Sequence, residues 1–348
     1  MQIRICGDEK MIFDDVLKII NGRNQKAVEN PNGKYPIYGS GGIMGRADDY
    51  ICNAETVVIG RKGNINKPIF VEEPFWNVDT AFGLEANKSV LLPKYLFYFC
   101  VHYDFEKHNK TVTIPSLTKA DLLKIKIDLP SLGEQQDIVK KLQQIETIIF
   151  KRKQELDILD ELIKARFVEL FGDMILNPNG WEQSSLGKVC DVRDGTHDSP
   201  KYYMEGYPLV TSKNVTSGKI DFSDCSLICE DDYEKINQRS KVDYGDILMP
   251  MIGTVGNPVI VDVEPKFAIK NVALIKFYED SSVLNTFVKG LLESDYFDRA
   301  VISKVRGGTQ KFIALGNIRE LQISIPPMNI QLDYQYFVQQ VDKSKSVA

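Results

Sequence analysis

No stretch of this chain is apolar for long enough to cross a bilayer, and its opening, Met1-Gln-Ile-Arg-Ile-Cys6, lacks the apolar core and small-residue cleavage site of a secretory signal. The expectation is a cytoplasmic protein with no membrane partner. Histidine is scarce: His102, His108 and His197 are the whole supply, and none stands at metal-ligand or nucleophile-base spacing. Six cysteines are scattered through apolar-rich segments, as small buried hydrophobes of a reducing compartment are. Cys225-Ser-Leu-Ile-Cys229 is the one close pair, and without a second Cys/His pair it makes a poor zinc site. A Gly-x4-Gly-Lys-Ser/Thr phosphate loop is missing too, so Gly39-Ser-Gly-Gly42 reads as a turn. Acidic runs such as Glu230-Asp-Asp232 read as solvated loop rather than a paired acid and base. Nothing here resembles a catalytic or metal centre, and no cofactor is expected in this chain.

An excess of positive charge is also lacking. The 43 Lys and Arg against 48 Asp and Glu leave a net charge of -5, which argues against a nucleic-acid binder acting alone. Were DNA the partner, local basic loops or another subunit would have to neutralise its phosphates.

What is present is a duplication, the feature to find first because it decides the architecture. Phe13-Asp-Asp-Val-Leu-Lys-Ile-Ile-Asn-Gly22 returns as Leu186-Gly-Lys-Val-Cys-Asp-Val-Arg-Asp-Gly195, and Tyr35-Pro-Ile-Tyr-Gly-Ser40 returns as Tyr207-Pro-Leu-Val-Thr-Ser212. Thr56-Val-Val-Ile-Gly-Arg-Lys-Gly63 matches Asp246-Ile-Leu-Met-Pro-Met-Ile-Gly253. Leu117, Leu123, Ile125 and Ile127 before Pro130 align with Leu315, Leu321, Ile323 and Ile325 before Pro326. A length of 348 residues suits two domains of ordinary size. The expected division is a first domain over 1–130, a spacer helix over 131–173, a second domain over 178–326 and a distal helix over 327–348.

Between the copies, Glu134 to about Leu170 contains neither Pro nor Gly, and Ile138, Leu142, Ile145, Ile149, Leu156, Leu159, Ile163 and Leu170 recur on a seven-residue period. Such a stripe wants a partner helix. Arg152 and Arg166 occupy seam positions; either their stems pack while the heads reach out, or they set register against an acidic partner. At 1.5 Å per residue the helix is about 55 Å long, a rigid spacer ended by Gly172. The natural partner begins near Asn329 with Ile330, Tyr334, Phe337, Val338 and Val341, pairs antiparallel, and is about half as long. It should cover Leu156 to Leu170 and leave Ile138, Leu142, Ile145 and Ile149 open.

Each copy carries short β-branched and aromatic runs punctuated by Gly, Asn and Asp, including Glu55–Ile59, Lys67–Val71, Asp246–Met249 and Pro258–Val261. A helix is expected over Pro93–Tyr103 with its counterpart over Val283–Arg299. The fold class is therefore mixed α/β (α+β): two tandem domains separated by long antiparallel coiled-coil helices. Polar donors collect in the loops. Arg reads guanine and Asn or Gln reads adenine, while Lys, Ser and Thr hold phosphates. Candidate DNA contacts in the first copy are Ser40, Arg61, Lys62, Asn64, Lys110, Thr111 and Thr113. In the second they are Thr196, Lys213, Asn214, Thr254, Asn257, Arg306, Thr309, Gln310 and Lys311. The stretches Lys107–Thr113 and Arg306–Lys311 stand at equivalent places in the two copies.

These residues resemble a known family, the DNA-specificity subunit of type I restriction-modification systems, over nearly the whole chain. The resemblance is carried by Trp181-Glu-Gln-Ser-Ser-Leu-Gly187, by Arg306-Gly-Gly-Thr-Gln310 ahead of a strand ending in Ile-Pro-Pro, by Leu129-Pro-Ser-Leu-Gly-Glu-Gln-Gln136, and by Lys164-Ala-Arg-Phe-Val-Glu-Leu-Phe-Gly172. It implies two target-recognition domains, each reading half of a split asymmetric site in double-stranded DNA, with helix length setting the gap. It further implies a non-catalytic subunit that two methylation subunits, binding S-adenosylmethionine, and ATP- and Mg-dependent restriction subunits join. Ile138, Leu142, Ile145, Ile149, Leu156, Leu159, Ile163, Phe337 and Val341 are the expected subunit-interface residues. Two departures stand out: the first copy has no Trp-x4-Leu-Gly opening, and the last helix is short for the family. The latter leaves an alternative open, a truncated assembly or decoy scaffold that binds partners but recognises DNA poorly.

Overall fold

The structure, a computed structural model, describes residues 10–109, 114–215, 218–252, 256–302 and 312–347. The chain divides into two compact units, 1–150 and 151–348, with the boundary inside one helix. Strands of the first unit are β1 (Lys10–Ile12), β2 (Leu17–Asn21), β3 (Tyr35–Gly39), β4 (Gly42–Ala47), β5 (Thr56–Gly60), β6 (Ile69–Val71), β7 (Trp76–Asn77), β8 (Ala81–Ala86) and β9 (Lys126–Asp128). Its helices are α1 (Phe13–Val16), α2 (Pro93–His102), α3 (Lys119–Leu122) and the start of α4 (Leu132–Phe171). The strands build a sheet of order β2-β8-β5-β6, a second of order β4-β3-β7, and a ribbon of β1 with β9.

The second unit holds β10 (Gln183–Ser185), β11 (Asp191–Asp194), β12 (Tyr207–Val210), β13 (Ser226–Ile228), β14 (Ile247–Pro250), β15 (Val259–Ile260), β16 (Ala268–Ile269), β17 (Val272–Lys276) and β18 (Gln322–Ser324). Helices α5 (Leu186–Val189), α6 (Glu230–Ser240), α7 (Asn285–Leu292), α8 (Asp295–Ala300), α9 (Leu315–Arg319) and α10 (Met328–Val347) accompany them. Sheet orders β11-β17-β14-β15, β13-β12-β16 and β10-β18 reproduce the first unit strand for strand. Even the parallel pair recurs, β3 with β7 and β12 with β16. The duplication is thus one of topology as well as of sequence.

Register explains how each central strand is used. All five residues of β5 are buried. Side chains alternate across a strand, so Val57 and Ile59 join a cluster with Leu96 and Cys100 of α2, while Val58 joins Cys52 and Phe75 on the other face. Likewise Ile247 and Met249 of β14 enter one cluster and Leu248 another.

The same periodicity corrects the repeat alignment. Phe13 N donates to Ile125 O, and its counterpart Leu186 N donates to Leu321 O. Met11 pairs with Ile127, and Ser184 with Ile323. Ile125 therefore corresponds to Leu321 and Leu117 to Ile313, two residues away from the match read in the sequence. A two-residue slip keeps every apolar side chain on its face, so hydrophobic pattern alone does not detect it. The expected helix over Val283–Arg299 also differs, being broken into α7 and α8 around Glu293 and Ser294.

The correct register aligns Gln135 with Gln331, and both are fully buried. Gln135 Oε1 accepts Leu92 N at 2.8 Å, while its Nε2 donates to Val90 O and Pro130 O, both at 2.8 Å. Gln331 does the same with Leu284 N (2.8 Å), Ser282 O (2.9 Å) and Pro326 O (2.8 Å). Leu92 and Leu284 are the N-cap residues of α2 and α7, whose amides a helix start leaves without partners. One carboxamide in each copy thus ties the spacer-type helix to its own domain.

Ser131 starts α4 with a reciprocal cap: its amide and hydroxyl donate to Glu134 Oε2 at 2.9 and 2.7 Å. These bonds hold the Glu134 carboxyl below its usual range. Gly172, at φ +68°, ends the helix in the left-handed region. Within the second unit α10 runs antiparallel to α4. Phe167 and Phe171 pack on Tyr334 at 5.5 and 5.4 Å, Arg166 lies over Phe337 at 5.6 Å, and Lys345 Nζ meets Asp160 Oδ1 at 2.6 Å. Arg152 and Arg166 turn their heads to Glu155 and Glu169 of their own helix. Leu156, Leu159, Ile163 and Phe337 are half-buried and Val341 is buried, whereas Ile138, Ile145 and Ile149 are 38, 52 and 50% exposed. Coverage of the stripe follows the expectation except at Leu142, which is half-buried where an open position is expected.

Candidate nucleic-acid interface

In the first unit three loops meet. The two-residue turn Ser40-Gly41 joins β3 to β4, and Arg61–Asn64 follows β5. A Cβ on Gly60 would lie 2.4 Å from Asn64 O and 3.1 Å from the Ser40 Cβ, so only glycine lets these loops close on one another. The third loop returns beside them: Leu117 N donates to Arg61 O (2.9 Å), Gly63 N to Pro115 O (3.0 Å), and Lys62 bridges Ser116. Ser116 N in turn donates to Asn109 Oδ1 at 3.1 Å, pinning the ends of the 109–116 loop. Ser40, Arg61, Lys62 and Asn64 therefore share one patch. Arg61, Lys62 and Asn64 are exposed, and among the described residues neither cation is paired with a carboxylate. Lys110, Thr111 and Thr113 lie outside the described residues.

The second unit has the same frame. Ile313 N donates to Met251 O at 2.9 Å and Ile252 bridges Phe312, the counterparts of Leu117 with Arg61 and of Lys62 with Ser116. Met251 and Ile252 thus stand beside Phe312 and Ile313 as Arg61 and Lys62 stand beside Ser116 and Leu117. Thr254, Arg306, Thr309, Gln310 and Lys311 lie outside the described residues. Asn257 is exposed, at φ +54° beside Gly256. Lys213 is exposed but ion-paired to Asp224 at 2.8 Å, a hydrogen bond that raises its pKa. Asn214 is 3% exposed; its Oδ1 accepts Thr211 N and Oγ1, and its Nδ2 donates to Asp221 O. That carboxamide shapes the loop from inside and presents no edge to a base. Thr196 N donates to Ile269 O, and its Oγ1 accepts Asp198 N.

Beside Thr196 stands an array that spacing alone did not suggest. His197 Nε2 is 2.8 Å from Asp194 Oδ2 and Nδ1 is 2.8 Å from Asn271 Oδ1, while Asp194 Oδ1 accepts from Arg239. Asp194 is nearly buried, with His197 and Arg239 exposed on either side of it. The Asn271 and Asp194 bonds raise the His197 pKa above 6.5. Asp194-x-x-His197 is visible in the sequence, but Arg239 and Asn271 arrive through the β11-β17 pairing and the end of α6. Elsewhere burial pushes the Cys52 and Cys190 thiols up to about 12, which suits inert core positions. No helix among the described residues is long and apolar enough to cross a membrane.

Two copies of one mixed α/β domain, joined by a long helix and built on the same strand frame, define a tandem recognition protein. Comparison with known proteins gives that class its family. The family profile described as the type I restriction modification DNA specificity domain matches residues 9–158 and again 178–346, and the chain belongs to that family. Its relatives include the type I restriction enzyme MjaVIII specificity subunit of Methanocaldococcus jannaschii, 24% identical across 94% of this chain and 85% of that subunit. The EcoBI specificity subunit of Escherichia coli is 20% identical across 95% of this chain and 78% of its own length. Among solved structures, the type I restriction-modification S subunit of M. genitalium superposes with a TM-score of 0.58 at 16% identity, covering 99% of this chain and 92% of that one. A second, from a study of assembly and conformational transition in the type I system, gives 0.58 at 17%, covering 100% and 93%. At such identities the likeness shows the fold.

Proposed function

We propose that this chain is the sequence-reading subunit of a type I restriction-modification complex, non-catalytic itself, with each unit reading one half of a bipartite asymmetric site in double-stranded DNA. Helix α4 and its antiparallel partner set the gap between the halves. Two methylation subunits carrying S-adenosylmethionine dock on the helices, and restriction subunits using ATP and Mg join them. The observation that carries the reading is the repeated loop frame: equivalent strands lead into Arg61 and Lys62 in one copy and into Met251 and Ile252 in the other, with different side chains. Equivalent placement with unlike chemistry is what two different half-sites require. Partners supplying positive charge also account for the net charge of -5.

Mapping methylated motifs in cells that carry this chain with its partner subunits tests it. A split, asymmetric motif is expected, and Arg306→Ala or Gln310→Ala should alter only the second half. Methylation without sequence preference would sink the proposal. The open stripe of Ile138, Ile145 and Ile149 favours a second reading, an assembly scaffold with weak DNA recognition. That reading requires stable complexes that methylate no defined motif.

A further inference from the structure

The hairpin of β3 and β4 carries an apolar tip that the core does not use. Ile37 pairs with Gly45 and Tyr38 with Ile43, so Met44 is an extra residue on β4, a β-bulge. Bulges re-aim side chains and bend a strand. Here the consecutive residues Ile43 and Met44 are 66 and 62% exposed. Met44 is accommodated by Gly39, where a Cβ would lie 2.6 Å from the methionine sulfur. The hairpin is firmly held: Arg46 Nε and Nη2 donate to Gly33 O and Lys34 O at 2.6 and 2.7 Å, and Asn30 Nδ2 donates to Asp48 at 2.9 Å. Burying two large apolar side chains on a braced tip costs only their side-chain entropy, since their backbone is already ordered.

The surroundings indicate what covers them. The Ser40-Gly41 turn touches Asn64, with the Gly41 Cβ position 3.9 Å from Asn64 Nδ2, and Arg61 and Lys62 stand on the same loop. Apolar side chains beside exposed cations that no carboxylate among the described residues pairs, and beside amide donors, match a nucleic-acid groove, where phosphates meet the cations and base edges meet the apolar tip. We infer that Ile43 and Met44 make the apolar contact to the bases of the first half-site, either against a thymine methyl or as a wedge in a base step. The inference rests on the DNA-reading function proposed above.

The test uses the full chain assembled with its methylation partner and duplexes bearing its methylated motif. Ile43→Ser and Met44→Ser should each weaken binding about ten- to a hundredfold, the weight of burying one such side chain. The salt dependence should not change, whereas Lys62→Ala should lower its slope by about one. Uracil in place of thymine in the first half-site reproduces the loss if a methyl is touched; 2-aminopurine brightens on binding if a step is unstacked. Thermal melting checks that the variants remain folded. Wild-type affinity and unchanged fluorescence in both variants would overturn the inference, as would loss of partner assembly in place of DNA affinity. If the wild-type complex itself shows no sequence preference, it is the proposed function that fails.

Discussion

Replacing Gln331 by leucine keeps the side-chain volume close and removes three hydrogen bonds at a site with no exposure. The change strands one donor, Leu284 N, and two acceptors, Ser282 O and Pro326 O, of which only the Pro326 carbonyl is fully buried. An unsatisfied buried group costs about 1–3 kcal/mol. Carbonyls tolerate loss better than an amide because a second lone pair and small relaxations remain open to them. Because two of the three bonds are only part-buried, each group counts near the bottom of that range, a loss of about 3 kcal/mol. Against a domain stability of about 5–15 kcal/mol this is a fifth or more of the total. Urea unfolding followed in a Trp76→Phe background by the fluorescence of Trp181, which packs 6.3 Å from Phe171 beside the same helix pair, reads the second unit. The exposed neighbour Gln339, changed to leucine, serves as control and should stay within about 0.5 kcal/mol. A Gln331→Leu midpoint within 1 kcal/mol of wild type, roughly the cost of one lost bond, would refute the clamp as a main tether of α10.

Gly290→Ala should destabilise the second unit by about 1–3 kcal/mol, because its Cβ would lie 2.7 Å from both the Phe167 ring and the Tyr334 hydroxyl; an unchanged melting temperature would contradict this packing. His197, raised above 6.5 by Asn271 and Asp194, contributes stability fully present below its unfolded pKa and lost as pH rises through the folded one. The gap between wild type and His197→Gln should therefore be widest near pH 6 and close as the solution becomes alkaline, and unfolding midpoints that differ equally at both ends would rule it out. Charging the open stripe with Ile145→Glu and Ile149→Glu should leave the melting temperature within about 1 °C, since surface changes cost little, yet abolish association with a methylation subunit or a second copy in light scattering. Unimpaired association would show that the stripe is not an interface.

The central helix was legible because its signals are local: a seven-residue period, the absence of Pro and Gly, and Gly172 at the end. The duplication was legible as well, but its register was two residues off in the last anchor, since alternating Leu and Ile look alike after a shift of two. Aligning the polar residues Gln135 and Gln331 would have corrected it, because a buried carboxamide has only one register in which its bonds close. Among the loop candidates, Arg61, Lys62 and Asn64 stand exposed on one loop. Asn214 does not, because burial depends on Asp221 and Thr211 folding around it and no residue type announces that. The His197 array joins residues from β11, α6 and the turn before β17, so its members meet only once the sheet order is known.

The paired glutamines bear on how such a protein can change over time. Gln135 grips only residues of the first unit, and Gln331 only those of the second. A crossover in the helix near Phe150 would cut neither lock, so each reader could be inherited as a sealed cassette, its fastening included.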